Sequence, residues 1–336
     1  MMFRTLVSRA LPPRVKWPLV LAQERLTRWL GPSPPGRLLK PLLIRRYLEC
    51  PEEVDIEITS SCDADCIMCP RRRMRRSPGP MPMPLFQKIV DEAVAIGVRD
   101  LVLNGYGEIS TLRTARDYLA YIRHRSRSIR IIVNTNGMRM DEEIASAFVD
   151  HGVDVMNIAI DGATAETYEK IRKELKLQVV EANVRRLIEL RNLSKRNRPF
   201  IMVHMIHMAE NAHETDQFLR KWTGVADQAG IAGMVSRIGS VPMTIHGRRL
   251  DSFPCFLLWR QLPVLSDGTV ALCCDDWDGR GALGNLYTQS IREIWRSQQR
   301  QVLRKLHLEG RQGEIDLCRA CHEPRTPPAW FWTPTS

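Results

Sequence analysis

Short apolar runs alternate with amphipathic segments through the middle of the chain. The runs are rich in β-branched residues and bounded by polar or turn-forming residues, which is typical of strands. They occupy residues 54–59, 101–104, 129–135, 155–160, 200–208 and 231–238. Between them, residues 84–96, 141–149 and 179–193 show the apolar spacing of helices. Six strand–helix units predict an α/β fold with a parallel sheet, arranged as a partial (β/α)6 barrel.

The chain of 336 residues is predicted to have three parts. Residues 51–245 hold the predicted barrel, residues 246–336 form a small cysteine-containing extension, and residues 1–50 form a basic N-terminal extension. In barrels of this kind the functional side chains gather at the carboxyl ends of the strands. No apolar stretch approaches the roughly 18 residues that predict a membrane-spanning helix.

Eight of the nine cysteines fall into two groups, and the first group follows the first predicted strand. Its members are Cys62, Cys66 and Cys69, in a C-x3-C-x2-C pattern. A closed structural zinc site takes four protein ligands, and an ordinary four-iron cluster takes four cysteines. Three thiolates therefore leave one coordination position for a distant residue or a substrate, and we favour an open position. The cysteine pattern and the lack of a secretory signal predict a reducing, cytoplasmic location.

The first cysteine group resembles that of the radical S-adenosylmethionine (SAM) superfamily. In that family three cysteines hold a [4Fe-4S] cluster, and SAM chelates the fourth iron. Reductive cleavage of SAM gives a 5′-deoxyadenosyl radical, which abstracts a hydrogen atom from an unactivated carbon. The resemblance implies a [4Fe-4S] cluster on Cys62, Cys66 and Cys69, and SAM as a second cofactor.

Three later segments resemble the SAM-contacting motifs of the family. The first, residues 105–109, is similar to the family's Gly-Gly-Glu-Pro segment, with Ile109 in place of the proline. The second ends the third predicted strand. The third ends the fourth predicted strand, where Ala159 replaces the usual serine. The implied cofactor-binding residues are Gly105, Gly107, Glu108, Asn134, Asn136 and Asp161. Arg172 matches a position that reaches the SAM carboxylate or the substrate, which makes it a catalytic candidate. Each of the first four strands is thus followed or ended by one motif segment.

The second cysteine group lies near the C-terminus and comprises Cys255, Cys273, Cys274, Cys318 and Cys321. It resembles the SPASM or shorter "twitch" extension of radical SAM enzymes, which carries auxiliary [4Fe-4S] clusters. The resemblance implies one auxiliary cluster held by Cys255, Cys273, Cys318 and Cys321. Cys274 could replace Cys273 as a ligand, donate a hydrogen atom in catalysis, or be a buried apolar side chain. A four-cysteine zinc ribbon is the alternative for this group.

Positive charge is concentrated in two segments of a chain whose formal net charge is +11. Residues 1–50 combine ten Lys or Arg with a tryptophan-containing helical pattern, so they could lie on an anionic membrane surface or pack on the barrel. The second segment, residues 71–76, follows the first cysteine group. Its arginines suit an anionic substrate or a flavodoxin-like or other acidic reductant. A nucleic-acid partner is not expected, because aromatic residues are not interleaved with this segment.

Two histidines, His204 and His207, lie on the fifth predicted strand. Three residues apart on a strand, they point to opposite faces, so at most one faces the barrel interior.

Four functions fit these observations. The first is a radical SAM oxidoreductase that dehydrogenates a small polar metabolite such as an aminocyclitol, sugar or nucleoside, with the auxiliary cluster as electron acceptor. The resemblance is greatest to single-auxiliary-cluster alcohol dehydrogenases acting on aminocyclitols. The alternatives are an epimerase, a maturase of a ribosomally made peptide, and a zinc-binding, membrane-associated scaffold without enzymatic activity.

Overall fold

The structure is a computed structural model that describes residues 47–233, 255–319 and 321. Residues 1–46 of the predicted N-terminal extension lie outside the described residues, as does the end of the sixth predicted strand beyond residue 233. The part of the chain that is described contains no helix that is both long and apolar enough to cross a membrane.

Strands supply the frame of the molecule. Those within the described residues are β1 (Glu53–Ile56), β2 (Asp65–Cys66), β3 (Asp100–Leu103), β4 (Arg130–Thr135), β5 (Val155–Ala159), β6 (Arg172–Lys173), β7 (Phe200–His207), β8 (Gln228–Gly233), β9 (Gln261–Val264), β10 (Thr269–Val270) and β11 (Gly284–Asn285). Nine of them form one sheet in the order β11-β10-β9-β1-β3-β4-β5-β7-β8. Within this sheet β1, β3, β4, β5, β7 and β8 run parallel to one another. These six strands correspond to the six predicted apolar runs. The predicted partial α/β barrel is confirmed.

Helices connect the parallel strands and cover the outside of the sheet. They are α1 (Met83–Ala95), α2 (Ala115–Arg125), α3 (Glu142–Asp150), α4 (Ala165–Ile171), α5 (Leu177–Leu193), α6 (Thr215–Trp222), α7 (Leu257–Arg260), α8 (Ile291–Trp295), α9 (Gln298–Leu308) and α10 (Asp316–Arg319). Asp141 begins α3 by accepting a hydrogen bond from the Ile144 N–H, as an N-cap residue does. The apolar faces of these helices and the buried side of the sheet form one continuous core.

The C-terminal extension continues the barrel sheet. Strand β9 lies parallel to β1, and β10 and β11 follow as antiparallel neighbours. The turn before β10 contains Gly268 at φ +80, a left-handed conformation that glycine adopts without the strain of a side chain. Because β9 pairs with β1, the segment that carries the second cysteine group lies next to the strand that leads to the first.

Candidate functional site

The first cysteine group lies on a loop at the carboxyl end of β1. Within this loop, Cys66 belongs to the short strand β2, which pairs with β6 so that Cys66 lies opposite Arg172. The Ala64 N–H donates to Cys62 Sγ at 3.4 Å, and the Cys69 N–H donates to the Cys66 carbonyl at 3.1 Å. All three cysteines are half-buried. The backbone of the loop is therefore hydrogen-bonded locally and paired with β6, and this arrangement fixes the positions of the thiols.

The chemistry of this donor set fits an iron–sulfur cluster. Burial raises the pKa of the Cys62 thiol to about 12 and also raises the pKa of Cys66. Because the thiolate is the ligand form, iron binding must displace these protons. Within the described residues no three Cys, His, Asp or Glu side chains are arranged around a single metal-ion position. In a four-iron cluster each cysteine binds a different iron, so the three thiols need not meet at one point.

Glu108 ties the cysteine loop to two neighbouring strands. Its buried carboxylate accepts hydrogen bonds from the Thr135 hydroxyl at 2.6 Å, the Asn136 N–H at 2.7 Å and the Ser110 N–H at 2.9 Å. The Glu108 N–H donates to the Ser61 carbonyl at 2.8 Å. Burial raises the pKa of Glu108. This residue therefore fixes the end of β4 and the start of the cysteine loop in one arrangement.

The glycines beside Glu108 are needed for close packing. A Cβ atom on Gly107 would lie 2.0 Å from the Thr59 carbonyl oxygen, and one on Gly105 would lie 2.5 Å from a side-chain carbon of Glu57. Both distances are well below van der Waals contact. The segment can run against β1 and the cysteine loop only without side chains at these two positions.

Replacing Gly107 with alanine is expected to destabilise the cysteine loop. Overpacking of this kind costs about 1–3 kcal/mol or more, so the free energy of unfolding and the iron bound per chain should both fall. Gly79→Ala is the matched control, because a Cβ atom there has nothing within 4 Å. Equal unfolding midpoints in urea for the two variants would contradict this role of Gly107.

Two predicted residues, Asn134 on β4 and Asn136 just after it, each make an amide hydrogen bond. The Asn136 side chain donates to Asp63 in the cysteine loop at 2.9 Å, and Asn134 accepts from the Asn157 amide on β5 at 2.7 Å. Asn134 and Asn157 are half-buried, at one level of the parallel sheet. These strands therefore end in polar, uncharged groups close to the cysteine loop.

Asp161 and Arg172 form a buried ion pair behind Cys66. Arg172 Nε donates to Asp161 at 2.7 Å, and its Nη1 lies 3.9 Å from Cys66 Sγ. The other Asp161 oxygen accepts the Ile206 N–H at 2.7 Å. Burial disfavours the charged guanidinium, but the charges of Asp161 and Cys66 outweigh it and raise the pKa of Arg172. Both predicted residues thus contact protein groups beside the first cysteine group.

One cavity borders the cysteine loop, and a second lies at the carboxyl ends of β1, β3 and β4. The larger has a volume of about 390 Å³, which is within the usual range for small-molecule sites. It is lined by Ser61, Cys62, Asp63, Ser110, Thr111, Arg113 and Arg139. The smaller is lined by Ile58, Thr59, Leu103, Asn104, Gly105, Gly107, Ile109 and Asn134. Four of the predicted site residues therefore line a cavity.

Of the two histidines on β7, His204 is half-buried and His207 is exposed. Burial lowers the pKa of His204, so its ring is neutral near pH 7. The opposite orientation predicted from their spacing agrees with this difference in exposure.

The second cysteine group is brought together from three segments. Cys255 precedes α7, Cys273 and Cys274 follow β10, and Cys318 and Cys321 lie at α10. Burial raises the pKa of Cys318 to about 12, with smaller contributions from the charges of Cys255 and Cys321. Burial also raises the pKa of Cys273, with a contribution from Cys255. Cys255 therefore lies near both Cys273 and Cys318, and Cys318 lies near Cys321.

His307 on α9 joins this group, although sequence reasoning did not identify it. Its Nδ1 accepts the Cys255 N–H at 3.1 Å, and its Nε2 lies 3.4 Å from Cys318 Sγ. Burial lowers the pKa of His307 to about 4. A lone histidine on an amphipathic helix gives no signal in the sequence, so only the packing of α9 against Cys255 and Cys318 identifies it.

A hydrogen bond joins the predicted SAM-contacting segment to the second cysteine group. The Tyr106 hydroxyl donates to the Cys274 carbonyl at 2.7 Å, and the Tyr106 N–H donates to Glu57 at 3.1 Å. Tyr106 lies between Gly105 and Gly107, in the segment predicted to contact SAM.

The basic segment after the first cysteine group is used largely for internal contacts. Arg76 forms a two-point ion pair with Glu57 at 2.7 and 2.9 Å, and also donates to the Trp277 carbonyl at 2.6 Å. Arg71 donates to the Ala64 carbonyl in the cysteine loop at 2.6 Å. The segment therefore helps to hold the cysteine loop against the C-terminal extension.

Comparison with known families places this site in an established class. Residues 56–220 match the radical SAM superfamily, and residues 255–322 match SPASM, an iron–sulfur cluster-binding domain. This chain belongs to the radical SAM superfamily and carries a C-terminal SPASM domain. It is therefore an enzyme that binds a [4Fe-4S] cluster and SAM, with auxiliary iron–sulfur binding in the extension, as predicted.

The relatives of this chain differ in what they act on. The S-adenosyl-L-methionine-dependent 2-deoxy-scyllo-inosamine dehydrogenase of Niallia circulans is 19% identical over 80% of this chain and 92% of its own. The mycofactocin maturase MftC of Mycobacterium ulcerans is 24% identical over 70% of this chain and 58% of its own. The crystal structure of BtrN in complex with AdoMet and 2-DOIA has a TM-score of 0.56 at 17% identity, covering 81% of this chain and 93% of that one. Two other curated relatives match over only 32% and 34% of their own lengths.

Proposed function

We propose that this enzyme oxidises a hydroxyl-bearing carbon of a small polar metabolite, such as an aminocyclitol, sugar or nucleoside, to a ketone. The observation that carries the proposal is the direct contact between Tyr106 in the predicted SAM segment and the Cys274 carbonyl in the second cysteine group. A dehydrogenation needs an electron acceptor close to the place where the hydrogen atom is removed. The relative from Niallia circulans, named a dehydrogenase of 2-deoxy-scyllo-inosamine, supports the same reaction class.

The cofactors divide between the two cysteine groups. Cys62, Cys66 and Cys69 would hold the SAM-binding cluster, and Cys255, Cys273, Cys318 and Cys321 the auxiliary one. When bound, the first cluster and SAM would supply the radical chemistry that removes a hydrogen atom from the substrate, and the auxiliary cluster would supply an acceptor for the remaining electron. Glu108 fixes the strand ends around this site, and Arg172 holds Cys66 in its position beside β6.

The groups near the cysteine loop suit a neutral, polyhydroxylated substrate. Asn104 and Asn134 line the smaller cavity, whose volume of about 10 Å³ admits a single hydroxyl or amino group and not a whole substrate. The Asn157 amide is bonded to Asn134. Amide groups both donate and accept hydrogen bonds, so they match hydroxyl and amino substituents. The anionic alternative loses support from Arg71 and Arg76, which already contact groups of the protein. The two arginines that line the larger cavity, Arg113 and Arg139, are paired with Asp141 and Asp63. A flavodoxin-like reductant stays a prediction, as does any membrane contact of residues 1–50.

Anaerobic turnover assays test this function. The reconstituted enzyme, SAM and dithionite are incubated with 2-deoxy-scyllo-inosamine and other aminocyclitols, and 5′-deoxyadenosine and ketone are measured. We expect the two products in equal amounts with the true substrate. A substrate recovered as its stereoisomer, with a hydrogen taken from solvent, would indicate the epimerase instead. Cofactor cleavage without any modified metabolite would contradict the proposal.

Peptide maturation is the second candidate, because MftC aligns with this chain over 240 residues. A short precursor peptide encoded beside this chain, and modified by it in the same assay, would favour this function.

Tyr106→Phe is expected to uncouple the reaction. The ring stays, but the hydrogen bond to the Cys274 carbonyl is lost, and a bond of this kind contributes about 0.5–1.5 kcal/mol. Ketone formed per 5′-deoxyadenosine should therefore fall severalfold, because the second cysteine group is held less firmly beside the SAM segment. Tyr121→Phe is the control, since it removes a hydroxyl bonded to Asp91 at 2.9 Å, between α2 and α1. An unchanged product ratio in Tyr106→Phe would show that this contact has no part in the reaction.

A further inference from the structure

His307 lies between two cysteines of the second group and contacts both. It is the last of three residues on one face of α9, after Arg300 and Arg304, and all three are buried. Its ring receives the Cys255 N–H at Nδ1 and approaches Cys318 Sγ with Nε2. The two cysteines are separated by 63 positions in the sequence, so this ring is a bridge between distant segments.

These contacts fix which nitrogen of the ring carries the proton. A nitrogen that accepts a hydrogen bond cannot itself be protonated. Because Nδ1 accepts the Cys255 N–H, the proton of the neutral ring is on Nε2, directed at Cys318 Sγ. The structure therefore gives His307 an N–H donor aimed at a cysteine sulfur.

The other residues of this helix face hold the same segment in place. Arg300 donates to the Leu258 and Gln261 carbonyls at 3.3 and 2.8 Å, and Arg304 donates to the Leu258 carbonyl at 3.0 Å. Their guanidinium carbons lie 3.9 and 4.6 Å from the centre of the Trp295 ring. Arg300 Nη1 and Arg304 Nη2 are buried and have no hydrogen-bond partner within the described residues.

We propose that His307 is a positioning residue of the auxiliary cluster, donating its Nε2–H to the Cys318 ligand sulfur and raising the reduction potential of that cluster. The proposal rests on the auxiliary cluster of the proposed function. A hydrogen bond to a ligand sulfur stabilises the more negatively charged, reduced form, so the cluster accepts an electron more readily. For a dehydrogenase, that makes the acceptor more effective.

A role for His307 as an iron ligand fits the geometry less well. Coordination through Nε2 would require its lone pair and would move the proton to Nδ1. A protonated Nδ1 would then face the Cys255 N–H, so two hydrogen-bond donors would point at each other with no acceptor. The observed contacts therefore favour a donor to sulfur.

Redox titration of the auxiliary cluster alone tests the proposal. The full-length background variant carries Cys62→Ala, Cys66→Ala and Cys69→Ala, so that only the second cysteine group can hold a cluster. In this background His307→Phe and His307→Gln are reconstituted anaerobically, and iron, sulfide and the midpoint potential followed by electron paramagnetic resonance are measured. The control is His124→Phe, an exposed histidine on α2.

We expect a more negative midpoint potential for His307→Phe, an intermediate value for His307→Gln, whose amide can donate, and no shift for His124→Phe. Loss of iron from His307→Phe alone, with the fold retained, would also support the positioning role. An unshifted potential in His307→Phe at full iron content would overturn the proposal. Loss of iron from both His307 variants would overturn it in favour of an iron ligand. Zinc, or no metal, with His307 intact would instead overturn the auxiliary cluster itself.

Discussion

Cys66→Ala is expected to abolish SAM cleavage and to lower the iron content by one cluster per chain. Cys66 is the member of the first group that sits in a strand, opposite Arg172 in β6. Its loss removes one of three thiolates, and a cluster held by two cannot be retained. The loss of activity should exceed the roughly 10- to 100-fold change caused by removing an outer partner of a metal ligand.

The measurement is 5′-deoxyadenosine release with SAM and dithionite, together with iron and sulfide content. Cys50→Ala is the matched control, because Cys50 lies outside both cysteine groups. Normal 5′-deoxyadenosine release by Cys66→Ala would show that Cys66 is not a ligand. Retention of the auxiliary signal in that variant would show in addition that the two sites are loaded independently.

Arg172→Met is expected to lower the free energy of unfolding by about 3–5 kcal/mol, the usual cost of removing one partner of a buried ion pair. Asp161, which is fully buried, would lose its charged partner and keep only the Ile206 N–H. Cys66 would lose the nearby guanidinium, so iron binding at the first group should weaken as well. Urea unfolding and iron content check both effects.

An exposed ion pair provides the control for this prediction. Arg125 pairs with Asp91, and both side chains are more than 40% exposed, so Arg125→Met should change stability by no more than about 1 kcal/mol. The double variant Arg172→Met/Asp161→Asn removes the unpaired charge and should recover part of the loss. A destabilisation by Arg172→Met no larger than that of Arg125→Met would refute the structural importance of the buried pair.

Much of the fold was predictable because its signals are local. Apolar runs of strand length predicted five of the parallel strands closely. The sixth strand starts at Gln228, three residues before its predicted start. The short strands β2 and β6 were not predicted. Each has two residues, and they pair only because the cysteine loop folds back onto the end of α4.

The site was predictable in part for a different reason. Cysteine spacing along one loop is a sequence property, and so is a motif at the end of each of the first four predicted strands. The roles of Asp161 and Arg172 in holding Cys66 were not apparent, since Arg172 and Cys66 are 106 positions apart. Tyr106 and Cys274 are 168 positions apart in the sequence, and no pattern in either segment predicts that they are in contact.

The sequence by itself determined the αβ alternation, the three-cysteine loop at a strand end and the existence of a second cysteine group, because each depends on residues that are neighbours along the chain. Only the tertiary structure decided that β9 extends the barrel sheet beside β1, that Tyr106 contacts the second cysteine segment, and that His307 lies between Cys255 and Cys318. Those contacts depend on how distant elements pack against each other, and packing is set by the whole core rather than by any local pattern.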